Sequence, residues 1–539
     1  MTIALLSLGL FVIAAAAFST DMANLFVHRQ TAQSAANAAC TAGAMDMMVD
    51  AESNSLGNFT LGTAFSCSTK SGSAPCQYAS INGYSGAGLV ADTPSNSVDI
   101  SFPSAAACPN DGCPAPGVTP APASLAPYPF IRIDVVDRVK TTLYGMLSGR
   151  KTVDVRTFAV CGLGWTNSPV PIVVLNPSQS AVLNIQGTPS ISVLGGPVRS
   201  IQVNSSSLTS VSFGGSAVVD LTRGGPNFDG SDVGVFGGPT AAPSGFHTAN
   251  HGQWRFPSSP FYDPYALTDT PARPSLAPAV PADLKPVCSS IPCSVAYHVH
   301  GCPDQGGCDL YSAGYYAKGI DIQNATAIFE PGLYYLNGGL ALDSNSLVRP
   351  STGAGDNTQG TVFFLTGGVQ KCSGQTGLVC VGSNSGSKSN VDSFVTSQAT
   401  CAGGPSPDPR LNLPATLDGN VLLAPCTGPY GDPTGQYRGV LFFNDRSNSN
   451  GGGWGGGGGF LLAGSIYFHH CNSTGTGVNC GAPPTYYNSN FSFQGNSGSS
   501  SYVIGNIIVD QLTMGGSPTI NMALNPNPTL GVLKASLFF

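Results

Sequence analysis

From Val170 onward the chain repeats one short theme, and that theme limits the fold more than any other feature of the sequence. PIVVLNP, AVLNIQG, SISVLGG, SIQVNSS and SVSFGGS are short β-branched runs, punctuated every eight to ten residues by Gly, Asn or Ser. After a Pro-rich stretch at about 239–286 the theme returns in GLYYLNGGLALDSNSL, GTVFFLTGG, GVLFFNDRSNS, FLLAGSIYFHH and YVIGNIIVDQLTMGGSPTINM. Two architectures suit such spacing, a series of β-sandwiches or a right-handed parallel β-helix. The turns are small and uncharged, Asn recurs at corners, and the longer alternating runs of sandwich strands are missing. These features favour the β-helix, a β-solenoid over residues 166–539 whose open edges need a cap.

Composition supports a packed, turn-rich chain. Gly and Pro together number 69 + 42 = 111 of 539 residues, about a fifth. That lies below the roughly 25–30% that marks low-complexity disorder. Charged residues make up 9% of the chain and the formal net charge is −7, so no basic patch for nucleic acid or anionic lipid is expected.

The sixteen cysteines speak for an oxidising compartment. Most fall in close pairs: Cys67/Cys76, Cys108/Cys113, Cys288/Cys293, Cys302/Cys308, Cys372/Cys380 and Cys471/Cys480. Cys401, Cys426, Cys40 and Cys161 complete the set of disulfide candidates. Structural zinc favours C-x₂₋₄-C with a second matching pair or histidines. Most of these gaps are longer and no CxxC occurs. Disulfides are the better reading.

At the other end, MTIALLSLGLFVIAAAAF is an unbroken apolar run that passes without a turn residue into DMANLFVHRQTAQSAANAACTAGAMD. At 1.5 Å per residue the run can cross most of a bilayer core about 30 Å thick. The helix signal continues to Asp50 without Pro. Ala32, Ala35, Ala36, Ala39 and Gly43 form a small-residue stripe of the kind that lets helix backbones approach closely. Either another copy of the helix or the chain's own domain can use that stripe.

The stretch from Asp21 to Ala44, with Leu25, Phe26, Val27, Arg29 and Gln30 followed by its Ala-rich end, resembles the N-terminal signature of tight-adherence (TadE/TadG-like) pilus-assembly proteins. FIRIDVVDR, VKTTLYGMLSG and KTVDVRTFAVCG read as strand, helix and strand, and resemble that family's first extracytoplasmic domain. Pairing Cys40 with Cys161 would lock this domain onto the helix. The resemblance implies three parts: a hydrophobic assembly or transmembrane helix over 1–50, a small α/β pilin-like domain over 51–165, and the solenoid. It also implies a fold class of α+β plus all-β.

The function expected on that basis is a structural subunit of an extracellular filament, pilus or tube, anchored in the inner membrane before assembly. Its assembly surface would comprise Leu5, Leu10, Phe11, Met22, Leu25, Phe26, Ala32, Ala36, Ala39 and Gly43. Its partners would be copies of itself, a prepilin peptidase and the pilus-assembly machinery, with no nucleic acid. The alternative is a membrane-anchored or pilus-tip adhesin that binds a surface or glycan. A polysaccharide-acting enzyme comes third. Glycoside hydrolysis needs two facing carboxylates, yet Asp220, Asp229, Asp232, Asp343 and Asp445 form no paired motif and Glu52 and Glu330 are the only glutamates. The chain is therefore expected not to be an enzyme and to have no cofactor. His298/His300 and His469/His470 read as structural rather than metal-binding, and GGGWGGGGGF reads as a flexible linker around Trp454.

Overall fold

The computed structural model describes residues 2–51, 59–103, 119–120, 128–141, 149–167, 170–274 (except 250, 262 and 267), 296–299, 308–350 (except 324, 331 and 344–345), 361–381 (except 373–374), 394–395, 416–417, 421–423, 437, 440–471 (except 457–459), 480, 483–524 (except 496–499) and 531–537. Two compact units divide the chain: Met1–Thr166 with Val532–Phe539, and Asn167–Gly531.

The first unit contains helices α1 (Thr2–Ala51) and α2 (Ala74–Ile81) and a six-stranded sheet. The sheet is built on an antiparallel pair, Phe130–Lys140 against Thr152–Asn167. Ile131, Ile133 and Val135 alternate with half-buried polar residues, which is the period-two pattern of a strand with one covered face. The start of the expected helix VKTTLYGMLSG is corrected here: Val139 and Lys140 still belong to the first strand, and the second strand returns antiparallel to it. Residues 142–148, the rest of that expected helix, lie outside the described residues.

The alanine stripe of α1 is turned onto this same unit. Ala32, Ala35, Ala36, Ala39 and Ala44 are fully buried. A Cβ on Gly43 would meet Ile131 at 2.5 Å and Pro75 at 3.1 Å, so helix and sheet touch backbone-close there. Cys40 and Cys161 are disulfide-bonded, Gln33 donates to the Phe158 carbonyl at 2.9 Å, and His28 and Tyr84 both bond Asp137. The expected use of Ala32, Ala36, Ala39 and Gly43 as a polymer contact is thereby corrected: their close-approach surface is spent within the chain. Met22 and Phe26 are exposed and Leu25 is half-buried. The side chains of Leu5, Leu10 and Phe11 lie outside the described residues. Among the described residues no helix is long and apolar enough to cross a membrane, which corrects the expected membrane anchoring and the appendage location built on it.

The second unit holds three large sheets of eight, ten and eleven strands. Consecutive strands are dealt to them in turn: Ile172–Val174 to the ten-stranded sheet, Leu183–Ile185 to the eight-stranded, Ser190–Gly195 to the eleven-stranded, and Arg199–Val203 to the ten-stranded again. Among the described residues of these three sheets, pairing is parallel except for Ala296–Val299 against Cys308–Tyr311 at one edge. Inward side chains from all three sheets, such as Val174, Ile185, Val193, Phe442 and Leu462, form one core.

The expected right-handed parallel β-helix over 166–539 is corrected. The three sheets are open, each ending in edge strands, and their strand order is discontinuous. In the ten-stranded sheet the first strand, Ile172–Val174, lies in the interior of the sheet. On one side are Arg199–Val203, Asp232–Val235 and Trp254–Arg255; on the other the chain's late strands begin with Ile507–Val509 and end at Gly314–Tyr316. Periodicity in a sequence defines each short strand but not its neighbour, because every run offers the same β-branched face. GGGWGGGGGF is also corrected: Gly452–Gly456 is a strand, and Trp454 is buried in the core.

Two outcomes follow from the first unit. Ala36→Leu should overpack the helix–sheet contact and destabilise the unit by about 1–3 kcal/mol, while Phe26→Ala on the exposed side should stay within about 0.5 kcal/mol; thermal denaturation followed by circular dichroism measures both. The second concerns Asp154, which Arg138 grips through both carboxylate oxygens at 2.7 and 2.9 Å, holding its carboxyl below the ordinary range. A lowered folded value means stabilisation that is complete above the unfolded value of about 3.9 and is lost as pH falls through the folded one. Asp154→Asn should therefore reduce stability at neutral pH and flatten the acid limb of the stability curve.

Candidate functional site

Two places in the second unit gather polar groups in a way a folded core alone does not require. The first is the outer face of the eight-stranded sheet. Leu183, Ile185, Leu512, Met514, Phe491 and Phe493 point into the core, so the alternate residues point out. Register places Ser212 beside Asn184, Asn184 beside Thr513, and Thr513 beside Ser492. Gln511 pairs with Asn490, and Gln494 with Gly515. Gln186 donates to Asn184 Oδ1 and Ser212 Oγ, both at 3.1 Å, and Thr513 donates to Asn490 Oδ1 at 3.2 Å. Gln186 and Gln494 stand exposed. A Cβ on Gly515 would meet only Gln494, at 3.8 Å, so the floor between the glutamines is open. These side chains carry hydroxyls and amides and no charge.

The second place is a buried corner where strands Ser465–Phe468 and Ile507–Val509 end. Phe468 lies opposite Val509, so the next residues, His469 and Asp510, are brought side by side. His469 Nδ1 lies 2.6 Å from Asp510 Oδ1. The other carboxylate oxygen accepts the backbone N–H of His470 at 2.8 Å and of Ser489 at 3.0 Å. The carboxylate thus assigns the proton to Nδ1 and leaves Nε2, which lies 3.2 Å from Cys480 Sγ. Cys480 is disulfide-bonded to Cys471. His469 and Asp510 have no exposed surface, and Cys471 and Cys480 are 1% and 6% exposed. The Tyr487 ring packs 5.0 Å from the imidazole. Burial raises the Tyr467 phenol well above its ordinary value, so beside this corner it stays a neutral hydrogen-bonding group at physiological pH.

This arrangement corrects the expectation of a chain without catalytic groups. The described residues bring a carboxylate, an imidazole and two sulfurs together, with the His469, Cys471 and Cys480 donor atoms all within 4.8 Å of one another. Imidazole held by carboxylate is a recurring metal-ligand pair and a recurring proton-transfer pair. With both sulfurs in a disulfide, neither is a thiolate ligand; reduction is the condition for metal binding.

The remaining candidate residues are dispersed. Asp220 caps the Thr222 amide, Asp229 pairs with His251, Asp232 pairs with Arg255, and Asp445 accepts from Ser447 and Thr366; the Asp343 side chain lies outside the described residues. Cys67–Cys76 and Cys372–Cys380 are bonded. Cys108, Cys113, Cys288, Cys293, Cys302, Cys401, Cys426, His300 and the side chains of Cys308 and His298 lie outside the described residues. The Asp510–His469 pair was missed by sequence reasoning. Its signal is present, since SIYF-His469 and NIIV-Asp510 end two successive repeats of the same theme.

Comparison with protein-family models, with characterised proteins and with solved structures finds no match. Together with three sheets of eight to eleven strands, far beyond a small single-domain pilin-like fold, this corrects the TadE/TadG-like resemblance and the filament-subunit role drawn from it.

The buried corner has a direct stability consequence. Asp510→Ala removes the acceptor of three N–H groups in a dry site and should cost about 3–5 kcal/mol, read as a lowered midpoint in denaturant unfolding.

Proposed function

We propose that the chain is a glycan-binding protein whose recognition surface is the outer face of the eight-stranded sheet. The observation that carries this reading is the uncharged hydroxyl and amide row Ser212–Asn184–Thr513, flanked by Gln186 and Gln494. Hydroxyls and carboxamides both donate and accept, which matches a ligand whose own surface is made of hydroxyls. Parallel strands repeat this chemistry about every 4.8 Å, so one extended polymer lying across the strands meets equivalent partners in succession. The open floor at Gly515 admits a ring close to the backbone. The absence of charge from these named side chains favours neutral over anionic polymers.

An array of neutral and acidic glycans, followed by calorimetric titration of the positives, tests the reading. Neutral polysaccharide should bind, and the double substitution Asn184→Ala with Thr513→Ala should weaken it at least about tenfold, the loss of roughly 1.4 kcal/mol, with unchanged circular dichroism. Binding that survives Thr513→Arg at full strength would place the surface elsewhere.

A further inference from the structure

We propose that the corner formed by His469, Cys471 and Cys480 is a redox-gated cation site: a disulfide when oxidised, and a site for a thiophilic divalent cation of the zinc class when reduced. The proposal rests on the buried corner alone and is independent of glycan binding. Three observations carry it. The donor atoms His469 Nε2, Cys471 Sγ and Cys480 Sγ lie within 4.8 Å of one another. Zn–S bonds of about 2.3 Å and Zn–N bonds of about 2.0 Å in a tetrahedron separate ligand atoms by roughly 3.5–3.8 Å, so side-chain rotation of the two cysteines satisfies the geometry without moving the strands. The second observation is the imidazole's orientation. Asp510 accepts a hydrogen bond from Nδ1–H at 2.6 Å and so aims the Nε2 lone pair at the sulfurs, the carboxylate–histidine arrangement that orients and strengthens a metal-bound imidazole.

The third observation is a contrast inside the same molecule. Cys67–Cys76 closes a loop of the same sequence separation, 9 residues, as Cys471–Cys480. Only at Cys471–Cys480, among the described residues, does a group of three His, Cys, Asp or Glu donors converge. A staple needs no imidazole directed at its sulfur, and the hydrogen bond to Asp510 uses only the first ring nitrogen of His469, leaving the second facing Cys480.

The chemistry balances with a dithiol as the reductant. The dithiol gives two electrons and two protons to the Cys471–Cys480 bond and becomes a disulfide itself, leaving two thiols in the corner. Binding of the cation displaces both thiol protons to solvent, and His469 supplies its neutral nitrogen. Three protein ligands leave a fourth position for water or a small ligand, the pattern of sites that act on a bound molecule rather than only hold a fold together.

The test uses the full chain, reduced with a phosphine that does not chelate metals, with cobalt(II) as the spectroscopic probe and zinc(II) as competitor. We expect no uptake by the oxidised protein and one cobalt per chain after reduction, with thiolate-to-cobalt charge-transfer absorption that zinc abolishes. Cys471→Ser with Cys480→Ser should eliminate that absorption, and Asp510→Asn should weaken uptake about 10–100-fold. Cys67→Ser with Cys76→Ser should leave it unchanged. The proposal is overturned if the charge-transfer band persists in the Cys471→Ser/Cys480→Ser protein, if the reduced chain keeps its circular dichroism but takes up no cation, or if reduction of this disulfide unfolds the chain before cation binds.

Discussion

The second unit depends on one seam. Ile172, Val173 and Val174 pair with Ile507, Ile508 and Val509, Leu183–Ile185 with residues 512–514, and Ser190–Gly195 with Thr519–Leu524. In each sheet this joins an early run of the chain to a late one, across more than 300 residues of sequence. Without it both runs would end in an unpaired parallel edge, and parallel strands this short do not persist alone. The loop entropy of closing so long a segment must be met before these contacts form, so the seam is expected to assemble late, after each run has stacked locally.

Packing beside the seam has its own clamp. Arg446 is fully buried, yet its guanidinium is spoken for: Nε donates to the Tyr467 hydroxyl at 2.7 Å, Nη1 to the Thr268 carbonyl at 2.9 Å, and Nη2 to the Tyr265 carbonyl. Tyr467 in turn donates to Asp263 at 2.7 Å. This network holds the segment around 263–268 against Phe443 and Tyr467, where Tyr265 stacks edge-on to both rings. A buried charge is tolerable only with its donors satisfied, and here backbone carbonyls do most of that work.

How much of this was legible in the sequence follows from what each signal encodes. The runs PIVVLNP and SISVLGG announce short strands because β-branched residues between turn formers suit little else. They do not announce that the first run sits beside the last, since any β-branched strand can pair with any other. The alanine stripe announced a close helix contact but not its partner, and Ile131 and Pro75 of the same unit supplied it. Trp454 amid glycines looked like a linker because Gly lowers strand propensity. Phe491 and Phe468 pack where a Gly452 side chain would be, so the missing side chains there make room for aromatic neighbours. Asp510 and His469, 41 residues apart, become a pair only once Phe468 is known to lie opposite Val509.

Both polar sites draw on the seam, and that links them to folding. In the outward row, Asn184 belongs to the early run and Thr513 to the late one. At the corner, the Asn176 amide donates to the Asp510 carbonyl at 3.3 Å and the Asn176 side chain donates to the Tyr487 carbonyl at 2.6 Å, so early-run residues brace the loop that carries the His469 environment. Gln511 of the late run donates to Gln179 of the early run at 2.8 Å, between the two places. The polar row exists in neither run alone, whereas the corner is set within the late strands by Phe468 opposite Val509 and is braced by the early run. Side chains that would be unremarkable as surface hydroxyls acquire common geometry only when residues 183–185 and 512–514 are in register. A shift of the seam by one residue would turn Asn184 inward and Ile185 outward, exchanging a polar row for an apolar one. The apolar core that fixes the register therefore also fixes which functional groups reach solvent.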